Sequence, residues 1–508
     1  MSALRGREEL RTYEEINERI RRGDAVVMRA DEFAEFAKSV GVEKAAKEVD
    51  VVTTGTFGAM CSSGAFLNFG HSDPPIKMRR CWLNEVPAYA GLAAVDAFLG
   101  ATSPSEDRGI EYGGGHVIEE LVRGKEVHLR AEGYGTDCYP RKSIDTYVSL
   151  WDLNQAIMVN PRNAYERYNA ATNSSDEILF TYMGTLLPNF GNVTYSGSGQ
   201  LSPLYKDHGL ETIGIGTRIF LGGGVGYVIG EGTQHNPEGK LGTLMVRGDL
   251  KGMSPRYLRG ATFHRYGCTL YVGIGIPIPI INERVARSAA LSDDEILTDL
   301  VDYGIPSRAR PVLRKVSYGE LRSGRVELGG RDVPTSSLSS YGYALEIAEE
   351  LKRRVEGGEF LLSRPAELLP NERPFRPMRM VEAVPRVKDL MRRDFRTAKA
   401  IQSLQEAARI MVEGGVDHLP IVDDSGRLEG IVTSWDIAKA LAKGEGDLRR
   451  VMTRDVKTAT EDEPIEAVAK RFSKFGISGM PVVDRRGVVV GLITTDDLAK
   501  LVRGREPR

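Results

Sequence analysis

Two segments in the carboxyl-terminal part of this 508-residue chain repeat each other at a constant offset. Gly415–Ile437 aligns with Gly476–Leu498. Matched residues are 61 positions apart throughout the two copies, as Met391 is from Met452. Each copy is predicted to form a helix, a strand, an Asp-x-x-Gly hairpin, a second strand and a helix. Because one such copy would leave a sheet face uncovered, the two copies are expected to pack together.

The end of each copy carries a Gly-hydrophobic-hydrophobic-Thr-x-x-Asp motif, and the repeat resembles a tandem pair of CBS domains. The resemblance implies that the Thr and Asp of each motif hold the phosphate and ribose of an adenosine ligand, either an adenosine nucleotide or S-adenosylmethionine. These residues are Thr433, Asp436, Thr494 and Asp497. A carboxylate suits a ribose diol and a hydroxyl at a helix start suits a phosphate. The alternative is that they only cap the last helix of each copy.

The length of the chain predicts two or three domains, because it is too long for one hydrophobic core. We expect a first domain over 1–360, a proline-rich linker over 361–383, and CBS repeats over 384–445 and 446–508. Closely spaced prolines prevent regular structure in the linker. The expected fold class is α+β: a glycine-rich mixed α/β catalytic domain followed by a tandem CBS (α/β) module.

Three local patterns predict helices in the first domain. Thr12 followed by Glu15 is typical of a capped helix start. Residues 339–356 predict a helix that closes the domain, and the small apolar residues of 88–99 predict a buried helix.

Charge and motif content exclude several function classes. Lys and Arg number 68 against 70 Asp and Glu, so the net charge of −2 does not indicate nucleic-acid binding. No apolar run approaches the ~20 residues that span a bilayer, and the charged amino terminus lacks a secretion signal, so we expect a cytoplasmic protein. The spacing of the four cysteines and seven histidines predicts neither a disulfide framework nor a metal site. No dinucleotide-binding or P-loop motif is present, and no tightly bound cofactor is expected.

A candidate reactive thiol, Cys138, lies between a glycine-rich turn and a proline in the run Gly133–Lys142. Arg141 and Lys142 follow closely, and cations favour the thiolate that attacks electrophiles or accepts sulfur, although adjacent Asp137 opposes them. The alternative is a cysteine that serves as a small apolar filler.

A second cysteine and a rigid polar loop precede this run. Cys61 lies among small residues in 53–65, where backbone amides can approach a bound anion. The run 70–77, Gly-His-Ser-Asp-Pro-Pro-Ile-Lys, offers Lys77 to a substrate carboxylate and His71 as a proton donor. The alternative for this run is an ordinary Asp-Pro turn with a solvated lysine.

With these motifs placed, the first domain resembles the homocysteine-biosynthesis family, the L-aspartate semialdehyde sulfurtransferases, in the version fused to CBS domains. The resemblance implies that Cys138 carries sulfur as a persulfide and that Cys61 is a second thiol that helps to release sulfide. Proximity in sequence makes Lys77, Arg141 and Lys142 candidates to bind the substrate carboxylate and His71 a candidate acid. The implied partners are a small-molecule substrate and a separate ferredoxin-like iron-sulfur protein that supplies electrons. We further expect a homodimer with neither nucleic-acid nor membrane partners.

Two other functions are compatible with a CBS module. One is a CBS-regulated sensor whose first domain binds a metabolite and catalyses nothing. The other is a CBS-regulated dehydrogenase of nucleotide metabolism. The second is disfavoured because no barrel-like alternation of strands and helices precedes the CBS pair.

Overall fold

The structure is a computed structural model that describes residues 10–164, 168–237, 241–306, 309–371, 373, 376, 378 and 385–503. The chain divides into two compact units, residues 1–376 and 377–508. Most of 372–384 lies outside the described residues, as do the charged amino terminus and the last five residues of the second CBS repeat. Among the described residues, no helix combines the length and the apolar character needed to cross a bilayer.

The first unit contains both helices and strands, in mixed order. Its helices are α1 Tyr13–Arg22, α2 Ala30–Val40, α3 Val42–Glu48, α4 Gly114–Val122, α5 Pro203–Lys206, α6 Glu283–Ala289, α7 Tyr318–Arg322 and α8 Tyr341–Glu356. The strands of its amino-terminal half are β1 Val27–Arg29, β2 Val51–Thr53, β3 Thr56–Ala59, β4 Gly64–Asn68, β5 Met78–Leu83, β6 Val86–Ala88, β7 Asp96–Gly100, β8 Pro104–Ser105, β9 Gly109–Gly113, β10 Val127–Gly133, β11 Ser143–Val148, β12 Gln155–Asn163 and β13 Ala170–Thr172. Those that follow are β14 Leu179–Thr181, β15 Gly184–Leu186, β16 Val193–Tyr195, β17 Gly214–Ile215, β18 Arg218–Leu221, β19 Gly224–Glu231, β20 Leu244–Asp249, β21 Leu258–Phe263, β22 Gly267–Gly275, β23 Pro277–Pro279, β24 Leu297–Asp302, β25 Val312–Ser317, β26 Arg325–Leu328, β27 Arg331–Ser337 and β28 Glu367–Leu368.

Three sheets of the first unit position the candidate residues. The largest has nine strands in the order β21-β22-β18-β19-β20-β12-β4-β7, with β3 paired to β22. A six-stranded sheet runs β25-β24-β13-β16-β27-β26, and a four-stranded sheet runs β11-β10-β5-β6. Buried and more exposed residues alternate along β20 because successive side chains of a strand point to opposite faces.

The glycines that begin α4 allow this helix to pack directly on the large sheet. A Cβ on Gly114 would lie 2.0 Å from the carbonyl oxygen of Gly100, and one on Gly115 would lie 2.2 Å from that of Thr269. Only glycine fits at such distances, so the three-glycine run serves helix–sheet packing.

Two of the three helix predictions are confirmed. In α1, the Thr12 side chain accepts from the backbone N–H of Glu15, whose carboxylate accepts in return from that of Thr12. Helix α8 begins after the capping residue Ser340. The predicted helix over 88–99 is wrong: this segment ends β6 and enters β7, which pairs with β4.

The first part of the expected linker packs on the first unit, which therefore extends beyond residue 360. Leu362 is buried, and its carbonyl accepts from the side-chain amide of Asn17 at 2.9 Å. Strand β28 pairs with β17, and Nε2 of His235 lies 2.9 Å from the carbonyl oxygen of Pro370. These contacts satisfy backbone groups that a free linker would leave to water.

The second unit has the repeat architecture expected from the sequence. Its elements are α9 Val387–Leu390, α10 Leu404–Gly414, β29 His418–Val422, β30 Leu428–Thr433, α11 Ser434–Ala442, α12 Leu448–Val451, α13 Ile465–Phe475, β31 Gly479–Val483, β32 Val489–Thr494 and α14 Thr495–Arg503. The segment before each copy forms a β-bridge with the other copy, Arg392 with Leu492 and Thr453 with Ile431. These two bridges are related by the 61-residue offset, so the copies pack reciprocally. The expected fold class is confirmed.

Candidate functional site

The thiol of Cys138 lies on the surface, in the loop between β10 and β11. Its turn is closed by Tyr139, whose backbone N–H donates to the carbonyl oxygen of Thr136 at 3.0 Å. Cys138 is exposed, whereas Cys81 and Cys268 are buried. Burial raises the pKa of Cys81 to about 12 and also raises that of Cys268. Cys138 is therefore open to reagents that the two buried thiols cannot meet.

The structure joins the two loops that the sequence singled out, 70–77 and 133–142. The guanidinium of Arg141 donates through Nε to the carbonyl oxygen of Pro74 at 2.9 Å and through Nη2 to that of Asp73. The rings of His71 and Tyr139 stack with their centroids 6.0 Å apart. His71 thus lies beside the Cys138 loop, and Arg141 ties the loops together.

The two lysines of these loops are both exposed. Lys77 immediately precedes β5, next to the β-bridge that joins Ile76 to Arg141. The Lys142 side chain covers Gly135, where a Cβ would lie 2.8 Å from its Cε. The predicted cations are therefore gathered in the same pair of loops as Cys138.

Cys61 lies elsewhere, in the turn between β3 and β4. Its Sγ is 3.2 Å from Oγ1 of Thr269, and the side chain is partly buried. It lines a cavity of about 50 Å³, which we call the Cys61 cavity. Its lining also includes Tyr168, Tyr182, Ser196, Ser202 and Ser339.

Strand β4 separates Cys61 from the Cys138 loop. Cys61 precedes Gly64, the first residue of β4, whereas the 70–77 loop follows Asn68, the last. Four steps along a strand span roughly 13 Å. The structure therefore gathers His71, Lys77, Arg141 and Lys142 in the joined pair of loops that carries Cys138, and it places Cys61 before the other end of β4.

A group of tyrosines near Cys61 escaped the sequence analysis. The hydroxyl of Tyr303 donates to that of Tyr182 at 2.7 Å. Burial and, after it, the charge of a Cys61 thiolate raise the pKa of Tyr266, and the same two causes raise that of Tyr271 to about 12. No motif identifies these residues, because they come from separate strands and loops and each alone is typical of a core tyrosine.

In the second unit, a cavity of about 1170 Å³ lies between the two CBS copies. Thr433, Asp436 and Thr494 line this cavity. The two threonines also cap helices, since the Thr433 hydroxyl accepts from the backbone N–H of Asp436 at 3.2 Å and that of Thr494 accepts from the backbone N–H of Asp497 at 3.4 Å. Helix capping and a place in the cavity are thus combined in the same residues.

Asp497 differs from its repeat counterpart Asp436. It is fully buried and accepts from Nε of Arg392 at 3.0 Å. The residue that corresponds to Arg392 in the second copy is Thr453, which carries no charge. Asp436 is partly exposed at the cavity, so the two half-sites are unequal.

Comparison with known proteins identifies both units. Residues 25–362 match the family described as homocysteine biosynthesis enzyme, sulfur-incorporation, and residues 387–443 and 448–504 each match the CBS domain. Two proteins named L-aspartate semialdehyde sulfurtransferase are similar. The one from Methanosarcina acetivorans is 55% identical, over 97% of this chain and 99% of its own. The one from Methanocaldococcus jannaschii is 54% identical, over 98% of this chain and 100% of its own.

Among solved structures, the second unit is similar to a CBS domain pair that was crystallised in complex with 5′-methylthioadenosine and S-adenosyl-L-methionine. The sequence of that domain pair is 47% identical to the matched part of this chain. It covers 24% of this chain and 99% of its own, with a TM-score of 0.24.

These matches favour a sulfurtransferase over a non-catalytic sensor or a nucleotide dehydrogenase, and they extend over both units of the chain. The chain therefore belongs to the homocysteine biosynthesis enzymes of sulfur incorporation, with a tandem pair of CBS domains after the catalytic unit.

Proposed function

We propose that this enzyme converts L-aspartate semialdehyde to L-homocysteine and that Cys138 carries the transferred sulfur as a persulfide. The observation that carries the proposal is the position of Cys138, an exposed thiol on a loop that Arg141 fastens to the polar 70–77 loop. Two relatives that are similar over nearly the whole chain bear the name of this activity. The exposed cations Lys77 and Lys142 add positive charge to the loops that hold the persulfide anion.

The proposed reaction balances with four electrons when sulfur arrives as the outer atom of a persulfide. That sulfur attacks the aldehyde carbon and gives a hydroxyalkyl disulfide with Cys138. Two electrons and two protons cleave the S–S bond, which restores the Cys138 thiol and leaves a carbon that bears both hydroxyl and thiol. Loss of water gives a thioaldehyde, and two further electrons and two protons give the thiol of homocysteine. His71, beside the loop, is the candidate acid for the departing oxygen.

The electrons require a partner of low potential. The four cysteines, at 61, 81, 138 and 268, have no iron-sulfur spacing. We therefore assign the reductant to a separate ferredoxin-like iron-sulfur protein. A homodimer in the cytoplasm completes the proposal.

The CBS pair is proposed to regulate the enzyme by binding an adenosine ligand. The cavity between the copies combines the carboxylate of Asp436 with the hydroxyls of Thr433 and Thr494. A carboxylate binds a ribose diol and a hydroxyl at a helix start binds a phosphate, so these groups suit an adenosine nucleotide or S-adenosylmethionine.

Incubation with inorganic polysulfide tests the persulfide directly. The Cys138 thiolate should take one sulfur atom and displace a polysulfide one atom shorter, which adds about 32 Da to the Cys138 peptide until dithiothreitol removes it. Cys138→Ser should abolish this mass and homocysteine formation from the aldehyde, whereas Cys61→Ser should retain the mass on Cys138. A persulfide that forms on another cysteine, or full activity of Cys138→Ser, would overturn the proposal.

A further inference from the structure

The Cys61 cavity adjoins a larger hollow of about 280 Å³. Tyr182 lines both spaces. Tyr266 lines the larger one and is close enough to Cys61 for a thiolate there to raise its pKa. We call the larger hollow the vestibule; it is lined by Phe180, Thr181, Tyr182, Tyr266, Tyr303 and Arg310.

The vestibule is aromatic and positively charged. The guanidinium carbon of Arg310 lies 4.4 Å from the ring centroid of Tyr303, and that of Arg265 lies 5.1 Å from that of Phe180. Within the described part of the chain, neither guanidinium has a carboxylate at ion-pair distance. Arginines that stack on aromatic rings and lack a carboxylate partner are suited to bind the carboxylate of a small ligand.

The inner cavity is small and bordered by hydroxyl groups. Oγ of Ser196 lies 2.9 Å from Oγ of Ser339, which also accepts from the backbone N–H of Gly197. Gly197 has a φ of +99°, and a Cβ there would lie 2.6 Å from the hydroxyl of Tyr318. The 50 Å³ of this cavity hold only a few atoms, so it accepts the end of a short chain while the vestibule holds a charged head.

We propose that the vestibule and the Cys61 cavity form the binding site for the amino-acid aldehyde, with its carboxylate on Arg310 and its carbonyl group between Tyr182 and Cys61. This inference rests on the proposed function and assigns its substrate site. It places the carboxylate on the exposed Arg310 of an aromatic hollow instead of on the exposed lysines of the Cys138 loops, and it makes Tyr182 rather than His71 the hydrogen-bond donor to the carbonyl oxygen. Concave sites with a few polar groups are where small molecules bind.

Tyr182 is placed to hold the carbonyl oxygen. Its hydroxyl oxygen accepts the hydrogen of Tyr303, so its own hydrogen is left to donate to an oxygen in the cavity. A hydrogen bond of this kind polarises an aldehyde toward attack by sulfur at its carbon. Cys61 then lies at the aldehyde end of the substrate, and the carbon chain of the substrate separates Cys61 from the carboxylate.

Protection of cysteines from iodoacetamide tests the site in the full-length enzyme. The probe is L-homoserine, the unreactive alcohol with the same carbon skeleton. It should slow alkylation of Cys61 at least about tenfold at saturation, because it fills the vestibule, and leave alkylation of Cys138 unchanged. Peptide mass spectrometry reads both cysteines in one sample.

Substitutions distinguish aldehyde binding at the vestibule from persulfide formation on Cys138. Arg310→Ala should require at least about tenfold more L-homoserine for the same protection and raise KM for the aldehyde by a similar factor. The exposed Arg331→Ala, which has no part in either site, should match the parent. Polysulfide labelling of Cys138 should persist in Arg310→Ala. Labelling therefore tests the persulfide proposed for Cys138, whereas protection of Cys61 tests the proposed substrate site, and either proposal can fail without the other. If L-homoserine fails to protect Cys61, or if Lys77→Ala rather than Arg310→Ala weakens protection, the proposed site is wrong.

Discussion

Cys61 precedes the amino-terminal end of strand β4, whereas the 70–77 loop that Arg141 ties to the Cys138 loop follows the carboxyl-terminal end of this strand. The amino-terminal end of β4, Gly64, pairs with Gly100 on β7, and its carboxyl-terminal end, Asn68, pairs with Asp96 on the same strand. Strand β4, roughly 13 Å long, thus lies between the turn that holds Cys61 and the loop to which the Cys138 loop is tied. Direct transfer within one chain would require the Cys138 persulfide to reach the aldehyde across this length. Transfer to a second copy of the chain, or transfer through released sulfide, would not.

We therefore predict that two variants with different defects complement each other when they are mixed at an aldehyde concentration well below the KM of Arg310→Ala. Cys138→Ser retains the vestibule but has no persulfide, and Arg310→Ala retains the persulfide but binds the aldehyde weakly. If sulfur passes between copies, the mixture should form homocysteine at up to about half the parent rate per pair of chains, because each copy supplies the part that the other lacks. Steady-state assays of each variant alone and of the 1:1 mixture measure this. A mixture no faster than the sum of its components would place the transfer within one chain.

Arg141 is predicted to position the Cys138 loop. Its guanidinium donates to two carbonyl oxygens of the 70–77 loop, so Arg141→Ala removes a main-chain anchor of the reactive loop. We expect the rate of polysulfide labelling on Cys138 to fall several-fold, with partial recovery in Arg141→Lys, since an ammonium reaches fewer carbonyls in this geometry.

The neighbouring Lys142→Ala is the matched control for Arg141, because it removes one positive charge from the same loop, where its side chain covers Gly135, without removing the anchor to the 70–77 loop. It should slow labelling less than Arg141→Ala does. If Arg141 instead binds substrate, Arg141→Ala will raise KM for the aldehyde and leave the labelling rate unchanged.

Features encoded in local sequence were predictable here. The 61-residue offset predicted two copies that pack together, because a repeated pattern is visible by comparing the sequence with itself, and the Thr12–Glu15 pair predicted the start of α1, because a helix cap depends on residues three positions apart. The helix predicted over 88–99 is wrong because small apolar residues suit a buried strand as well as a buried helix. The pairing of this segment with β4 is a long-range contact that the local pattern does not contain.

The substrate site could not be predicted, because its residues are distant in sequence. Tyr182 follows β14, Tyr266 precedes β22 and Arg310 precedes β25. Only the pairing of their strands in different sheets brings these side chains around one hollow. The cations in the Cys138 loops could be identified from the sequence because they lie close to Cys138 along the chain. For the same reason the sequence predicted them as ligands of the substrate carboxylate.

The two CBS half-sites are predicted to respond differently to the same substitution. Asp436→Asn should lower affinity for an adenosine ligand about tenfold with little change in stability, since Asp436 lines the cavity and is partly exposed. Asp497→Asn should lower the free energy of unfolding by about 1–3 kcal/mol, because it leaves a buried network with Arg392 and Thr494 incomplete.

Calorimetric titration of both variants with AMP, ATP and S-adenosylmethionine measures the change in ligand affinity. Thermal unfolding of the same variants measures the change in stability. Equal effects of both substitutions on affinity and on stability would contradict the inequality of the half-sites.

Because of the buried Lys206, we predict that the free energy of unfolding rises as the pH is raised above 7. Its ammonium group is fully buried and donates to the carbonyl oxygens of Ala289 and Leu291 at the end of α6. Burial, partly opposed by the carboxylates of Asp293 and Glu295, lowers the pKa of Lys206 from 10.5 to about 7. Between these two values the unfolded chain binds the proton more tightly than the folded chain. The free energy of unfolding should therefore rise with pH, by up to about 1.4 kcal/mol per pH unit, and this contribution is lost as pH falls toward 7.

Lys206→Met isolates this contribution, because every other titrating group is common to both proteins. The variant should be less stable than the parent, since the two carbonyls lose their donor, and the deficit should grow from pH 7 to pH 9. Equilibrium unfolding in urea at pH 7, 8 and 9 gives the two curves. A deficit that stays constant over this range would mean that Lys206 keeps its proton in the folded protein, held by the carbonyls at the end of α6.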